Sequence, residues 1–126
     1  MSKEILIADD DPVVRHLLSA VLRGAGFIVA EVQDGNSCLK FIRERSESGT
    51  LPSLVLLDLQ LEDLTGAEVL EGIRASTSPI HLPVVMLSAN SEDEVRATFP
   101  SLDADCFLSK PFPPDTVLEI IDRFTK

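Results

Sequence analysis

Four polar features of this 126-residue sequence each follow a short stretch that reads as a strand. Asp9-Asp10 follow Ile5-Leu6-Ile7-Ala8, Asp58 follows Leu54-Val55-Leu56-Leu57, Ser88 follows Val84-Val85-Met86-Leu87, and Lys110 follows the stretch from Asp105 to Ser109. In an open α/β sheet the carboxyl ends of such runs line one crevice, with neighbouring strands about 4.8 Å apart. Carboxylates gathered there repel one another, by roughly 4 kcal/mol for two charges about 4 Å apart at an effective dielectric near 20. A hard divalent cation is the natural counter-ion, because magnesium takes oxygen ligands and keeps some waters, and Lys110 offsets part of the remaining charge. An all-oxygen set disfavours zinc. A cation, one ammonium, one hydroxyl and one free carboxylate suit phosphoryl transfer, where positioning and charge neutralisation supply most of the catalysis. Asp58 is then the nucleophile.

The elements that must position these groups alternate between short apolar runs and segments of helical period, which predicts a parallel sheet covered on both faces. Asp11 before Pro12 reads as an N-cap and first helical residue. Val13, Val14, Leu17, Leu18, Val21 and Leu22 repeat at three and four residues along that helix, and Gly24-Ala25-Gly26 stops it. The second strand is expected over Phe27 to Ala30. After the turn-like Asp34-Gly35-Asn36, a helix carrying Leu39, Phe41 and Ile42 runs to about Arg45, with a loop over Ser46 to Pro52. The run Leu54 to Leu57 has the composition of a central strand buried on both faces. A third helix is expected over Ala67 to about Arg74, a fourth after the capping box at Ser91-Glu92-Asp93-Glu94 ending near Pro100, and a fifth over Asp115 to Phe124.

Length and composition are consistent with one domain over 1–126: 44% of residues are hydrophobic and 25% charged. A net charge of -10 disfavours direct contact with nucleic acid or anionic membrane surfaces. No apolar run approaches the roughly 20 residues of a membrane span, and Met1-Ser2-Lys3-Glu4 reaches charge at once, so the expected location is the cytoplasm. Cys38 and Cys106 form no CxxC and are expected as buried free thiols. His16 and His81 have no partner at ligand spacing and read as structural or solvated. Gly24-Ala25-Gly26 follows a helix rather than a strand, so it is no dinucleotide fingerprint.

The residues described so far resemble the receiver domain of two-component response regulators. Ile5 to Asp10 is similar to the family's first strand with its acidic pair, and Leu54 to Asp58 to its central strand with the phospho-accepting aspartate. Ser88-Ala89 resembles the hydroxyl-plus-small-residue step, and Phe107-Leu108-Ser109-Lys110-Pro111-Phe112 the aromatic, lysine and cis-proline signature. The intervals from Asp58 to Ser88 and from Ser88 to Lys110 are similar to the family's, and the likeness covers essentially the whole chain. It implies a flavodoxin-like, doubly wound five-stranded parallel sheet in the order 2-1-3-4-5 with a cis Lys110-Pro111 bond. It further implies that magnesium is held by Asp10, Asp58 and the backbone carbonyl of Gln60, with Asp9 acting through a water. Asp58 would attack a phosphohistidine while Lys110 and Ser88 take phosphoryl oxygens. Phe107 would follow Ser88 inward and change the surface of the fourth helix, fifth strand and fifth helix. The implied partners are a sensor histidine kinase or histidine phosphotransfer protein and a downstream effector protein or domain. A phosphorylation-linked homodimer is left open.

Some positions depart from the family pattern. Leu61-Glu62 stands where relatives usually have methionine-proline, so the stiffness of that loop does not carry over. Gln60 and Asn90 stand where the family tunes acyl phosphate lifetime. Two other readings compete: a haloacid-dehalogenase-type phosphatase, which needs a second aspartate where Gln60 stands, and a pseudo-receiver that docks without taking phosphate.

Overall fold

The computed structural model describes residues 3–126. Met1 and Ser2, read above as the start of an early-charged N-terminus, lie outside the described residues. Among the described residues five strands and five helices alternate: β1 (Glu4–Ala8), α1 (Pro12–Gly24), β2 (Ile28–Val32), α2 (Gly35–Ser48), β3 (Leu54–Asp58), α3 (Gly66–Thr77), β4 (Val84–Ser88), α4 (Glu92–Thr98), β5 (Cys106–Ser109) and α5 (Pro114–Thr125). All strand pairs are parallel and the sheet order is β2-β1-β3-β4-β5, as expected.

The two-residue period of the strands splits the core into two layers. Leu6, Ala8, Val55, Leu57, Val84 and Met86 face α2, α3 and α4, where Cys38, Ile42, Val69, Leu70, Ile73 and Val95 cover them. Ile5, Ile7, Leu54, Leu56, Val85 and Leu87 face α1 and α5, meeting Leu18, Leu22, Val117, Ile120 and Ile121. Central β3 is buried throughout, and its neighbour β4 is too. Parallel strands covered on both faces are apolar up to their carboxyl ends, which is why Leu54 to Leu57 and Val84 to Leu87 lack alternation and polar residues enter only at Asp58 and Ser88.

Several element ends differ from expectation. β2 is Ile28–Val32 rather than Phe27 to Ala30, because the Phe27 amide closes the end of α1 on the Leu22 carbonyl (3.0 Å) and pairing with β1 runs from Glu4 opposite Ile28 to Ala8 opposite Val32. α2 continues through Ser48, three residues beyond Arg45. It stops at Gly49, which takes a left-handed φ of 71° and gives its amide to the Arg45 and Ser46 carbonyls. Arg45 is fixed there by a two-point ion pair with Glu4 (2.6 and 3.0 Å). Asp34, read as a turn residue, is instead the N-cap of α2, accepting from the Ser37 amide at 2.7 Å. α3 runs on to Thr77, whose hydroxyl bonds back to the Ile73 carbonyl. On α1, Leu18 and Leu22 are buried, whereas Val13 (72% exposed) and Leu17 (55%) face outward, so the covered stripe is narrower than its apolar pattern. Cys38 and Cys106 are both free, but only Cys38 is buried and Cys106 is half-buried. Burial pushes the Cys38 thiol up to about 12, and nearby Asp34 adds to the shift, so this thiol stays protonated at neutral pH.

Candidate functional site

The strand ends bring the expected groups together. Asp9 lies just past β1, and its amide bonds the Val32 carbonyl of β2 at 3.2 Å. Its Oδ1 accepts from the Asp11 amide at 2.9 Å, while Arg15 of α1 donates to the Asp9 carbonyl at 2.6 Å. The adjoining Asp11 caps α1 by accepting from the Val13 amide at 2.9 Å. Asp58 ends β3, with Oδ1 accepting from the Gln60 amide at 3.1 Å. Lys110, past the end of β5, is placed by its amide bond to the Ser88 carbonyl (2.7 Å), and the Lys110-Pro111 bond is cis. Its ammonium lies 3.1 Å from Oδ2 of Asp9 and 3.1 Å from Oδ2 of Asp58.

The electrostatics of this cluster follow from its burial. Asp9 is fully buried and Asp58 nearly so. Desolvation raises the Asp58 carboxyl above the ordinary range, the Asp9 charge raises it further, and the Gln60 amide and Lys110 only partly oppose the shift. Burial alone would lower the Lys110 ammonium, but Asp58 and Asp9 outweigh it and hold the pKa above the usual lysine value. Asp9, Asp10 and Asp58 each offer a carboxylate oxygen, all within 4.8 Å of one another. One ammonium does not neutralise three carboxylates, and an oxygen-only donor set fits a hard divalent cation.

Beside the carboxylates is a cavity of about 200 Å³ lined by Asp58, Gln60, Ser88, Ala89, Asn90 and Lys110. Ser88 is buried at the end of β4, and its Oγ accepts from the Asn90 amide at 3.0 Å, leaving the hydroxyl proton for another acceptor. A larger groove of about 450 Å³ lies between α3 and the segment after α4, lined in part by Leu70, Arg74, Phe99 and Leu102. None of the strand-end groups lines it, so the chemistry belongs to the smaller cavity. Phe107 is not at that cavity. It is half-buried on β5 against the α2/α3/α4 layer, with the Arg96 guanidinium of α4 over its ring, 4.9 Å from the centroid.

Neither histidine belongs to the cluster of Asp9, Asp10 and Asp58. His16 is exposed on α1, and His81 bonds Asp105 at 2.6 Å. Two contacts around the site had no signature in the sequence: Arg96 over Phe107, and Asp63 of the loop after β3, whose carboxylate accepts from the Gly35 and Asn36 amides at 2.8 and 2.9 Å. An arginine or aspartate in a polar segment is ordinary, and only the three-dimensional neighbour distinguishes these two.

A doubly wound parallel sheet with an acidic cluster and a lysine at its carboxyl edge defines the class of the protein. Comparison with known proteins supplies the family: the model of the response regulator receiver domain matches residues 5–122, and the chain belongs to that family. It is 38% identical over 114 residues to the DNA-binding response regulator MtrA of Mycolicibacterium smegmatis, covering 90% of this chain and 46% of that protein. It is 34% identical over 123 residues to the regulatory protein VanRc of Enterococcus gallinarum, covering 98% of this chain and 48% of that one. The chain thus spans about half the length of the curated relatives it matches. Among solved structures, the receiver domain of sensor histidine kinase PA1611 from Pseudomonas aeruginosa PAO1 superimposes with a TM-score of 0.87 at 26% identity, covering 99% of this chain and 98% of that one. That structure has a magnesium ion coordinated in its active-site cleft.

Proposed function

We propose that the chain, taken as one receiver domain over 1–126, is a magnesium-dependent phospho-accepting switch of a two-component phosphorelay. The observation that carries this reading is the Lys110 ammonium standing 3.1 Å from both Asp9 and Asp58, beside a cavity that Ser88 also lines. Asp10 and Asp58 through their carboxylates and Gln60 through its backbone carbonyl would hold magnesium, with Asp9 acting through a water. When bound, magnesium supplies charge neutralisation and a Lewis-acid contact for phosphoryl oxygens. An Asp58 oxygen attacks the phosphorus of a phosphohistidine, the P–N bond breaks, and the imidazole leaves. Lys110 and the Ser88 hydroxyl take phosphoryl oxygens, the hydroxyl through the proton that its bond from the Asn90 amide leaves available.

The new phosphoryl group adds nearly two negative charges, which draw Ser88 and then Phe107 and alter the α4/β5/α5 surface. A shift of this kind needs only a few kcal/mol of differential contact. The protein is therefore a signalling switch that catalyses its own phosphorylation and dephosphorylation, not a turnover enzyme. Its donor is a sensor histidine kinase or histidine phosphotransfer protein, and its reader a downstream effector protein or domain. It works in the cytoplasm, where such donors present phosphohistidine. With a net charge of -10, this chain itself is assigned protein rather than nucleic-acid or membrane contacts.

The test is incubation with magnesium and acetyl phosphate, or with beryllofluoride, followed by mass spectrometry or fluorine NMR. The expected result is an adduct that Asp58→Asn abolishes. No uptake by the parent protein, or equal uptake by the variant, refutes the reading.

A further inference from the structure

The loop from Leu59 to Thr65 carries Gln60 past the pocket without a proline to stiffen it. Beyond the Leu59 and Gln60 amides, which bond the Leu87 carbonyl (2.8 Å) and Oδ1 of Asp58 (3.1 Å), and the Thr65–Glu68 capping box, four connections order it. The Gly66 amide bonds the Leu59 carbonyl, Gln60 and Thr65 form an antiparallel bridge, and the Leu61 amide bonds the Leu64 carbonyl at 3.2 Å. The fourth leaves the loop altogether. Asp63 at its tip accepts from the Gly35 amide through one carboxylate oxygen (2.8 Å) and from the Asn36 amide through the other (2.9 Å). Asp34 takes the Ser37 amide, so two side chains divide the free amides of the first turn of α2 between them. The contact is close-packed as well: a Cβ on Gly35 would lie 2.9 Å from Leu64 Cβ and 2.8 Å from a Val69 methyl, so α2 begins directly against the loop.

We propose that Asp63 is a positioning residue for the phosphoryl-transfer site: by clamping the loop tip to the first turn of α2, it holds Gln60 in place beside Asp58. A carboxylate bonded by two amides at a helix N-terminus is a charge-assisted anchor, stronger than a neutral contact. The Asn36 and Gly35 amides accordingly hold the Asp63 carboxyl below the ordinary range. The clamp does for this loop what a proline does covalently, restricting its conformations before a cation or phosphoryl group arrives. The inference deepens the proposed function and rests on it for the role of Gln60.

The test compares Asp63→Ala with Asp34→Ala, which weakens the same helix start without touching the loop. Amide hydrogen exchange at Leu61 and Gly66 is read by NMR without metal, and magnesium affinity by calorimetry. Asp63→Ala should speed exchange at both loop amides by about tenfold and weaken magnesium binding by about threefold to tenfold. Asp34→Ala should change neither by more than about twofold. Equal effects of the two variants on loop exchange, or none from Asp63→Ala, overturn the clamp. A parent protein that binds no magnesium refutes the proposed function, and the clamp is then judged on the exchange rates alone.

Discussion

Lys110 and Asp58 are 52 residues apart in the chain, yet their charged atoms lie 3.1 Å apart at the end of the sheet. The pair is not a closed structural salt bridge, because the same ammonium is shared at 3.1 Å with the buried Asp9. The arrangement leaves Asp58 under-compensated, with its carboxyl shifted upward. Residues under such stress are usual at functional sites and carry a stability cost there.

Asp58→Asn should therefore stabilise the metal-free protein at pH 7, by about 1 kcal/mol. The folded-state pKa of Asp58 lies above its unfolded value, so its contribution is most favourable below the ordinary aspartate range and is lost as pH rises through the raised value. Urea denaturation should show the variant's advantage growing from acid to neutral pH. An advantage that is absent at pH 7 would contradict the burial argument.

Lys110→Ala should act in the opposite direction, leaving Asp9 and Asp58 facing one another. The expected cost is about 2 kcal/mol, less than for a fully enclosed pair because the lysine side chain is 24% exposed. Its folded-state pKa is raised, so this stabilisation is present below the unfolded lysine pKa and lost as pH rises through the raised value. The parent's advantage should shrink in alkaline urea titrations. Calorimetry should also show about threefold tighter magnesium binding by the variant, since a competing positive charge has gone.

Asp105 supplies a prediction away from the site. It accepts from the Val84 amide (2.8 Å), Arg74 (2.9 Å) and His81 (2.6 Å), tying the start of β4 to α3 and the segment before β5. Burial works to raise its carboxyl, but the His81, Val84 and Arg74 bonds outweigh it and leave the pKa low. The stabilisation is thus present above the unfolded aspartate pKa and lost as pH falls through the lower folded value. Asp105→Ala should cost about 2 kcal/mol at pH 7 in chemical denaturation, with the gap from the parent closing in strong acid.

Two glycines should respond oppositely to alanine. A Cβ at Gly66 would lie 2.7 Å from both the Asp58 carbonyl oxygen and Leu59 Cα, which are backbone atoms that cannot swing away. Gly66→Ala should cost about 2 kcal/mol and lower phosphoryl uptake by moving Asp58. Gly24, at the end of α1, has nothing within 4 Å of such a Cβ, so Gly24→Ala should gain about 0.5 kcal/mol. Thermal unfolding of both variants checks the pair.

The fold and the strand-end groups were legible because both depend on local chemistry. Runs such as Leu54 to Leu57 have few ways to be buried except as central strands, and an aspartate or lysine directly after such a run must emerge at the sheet edge. Helix starts at Asp11 and Ser91 were readable for the same reason, since a cap lies within three residues of the amides it serves. The end of α2 was less so: Ser46 and Ser48 have weak helical preference, and where the helix stops is set by the left-handed Gly49 and the Arg45–Glu4 pair beside it.

Other features were settled by packing alone. Helical spacing places Val13 and Leu17 at the edge of the apolar arc away from Leu18 and Leu22, but the width of the covered stripe depends on how α1 sits against β1, β2 and α5, and those two residues fall outside it. Asp63 and Arg96 look like solvated charges until the chain closes. Their partners, the Gly35 and Asn36 amides and the Phe107 ring, come from other elements that only the assembled sheet and helices bring alongside. Local sequence encodes backbone preference and burial period, whereas a contact between distant segments exists only after the cost of closing the intervening chain has been met by the whole core.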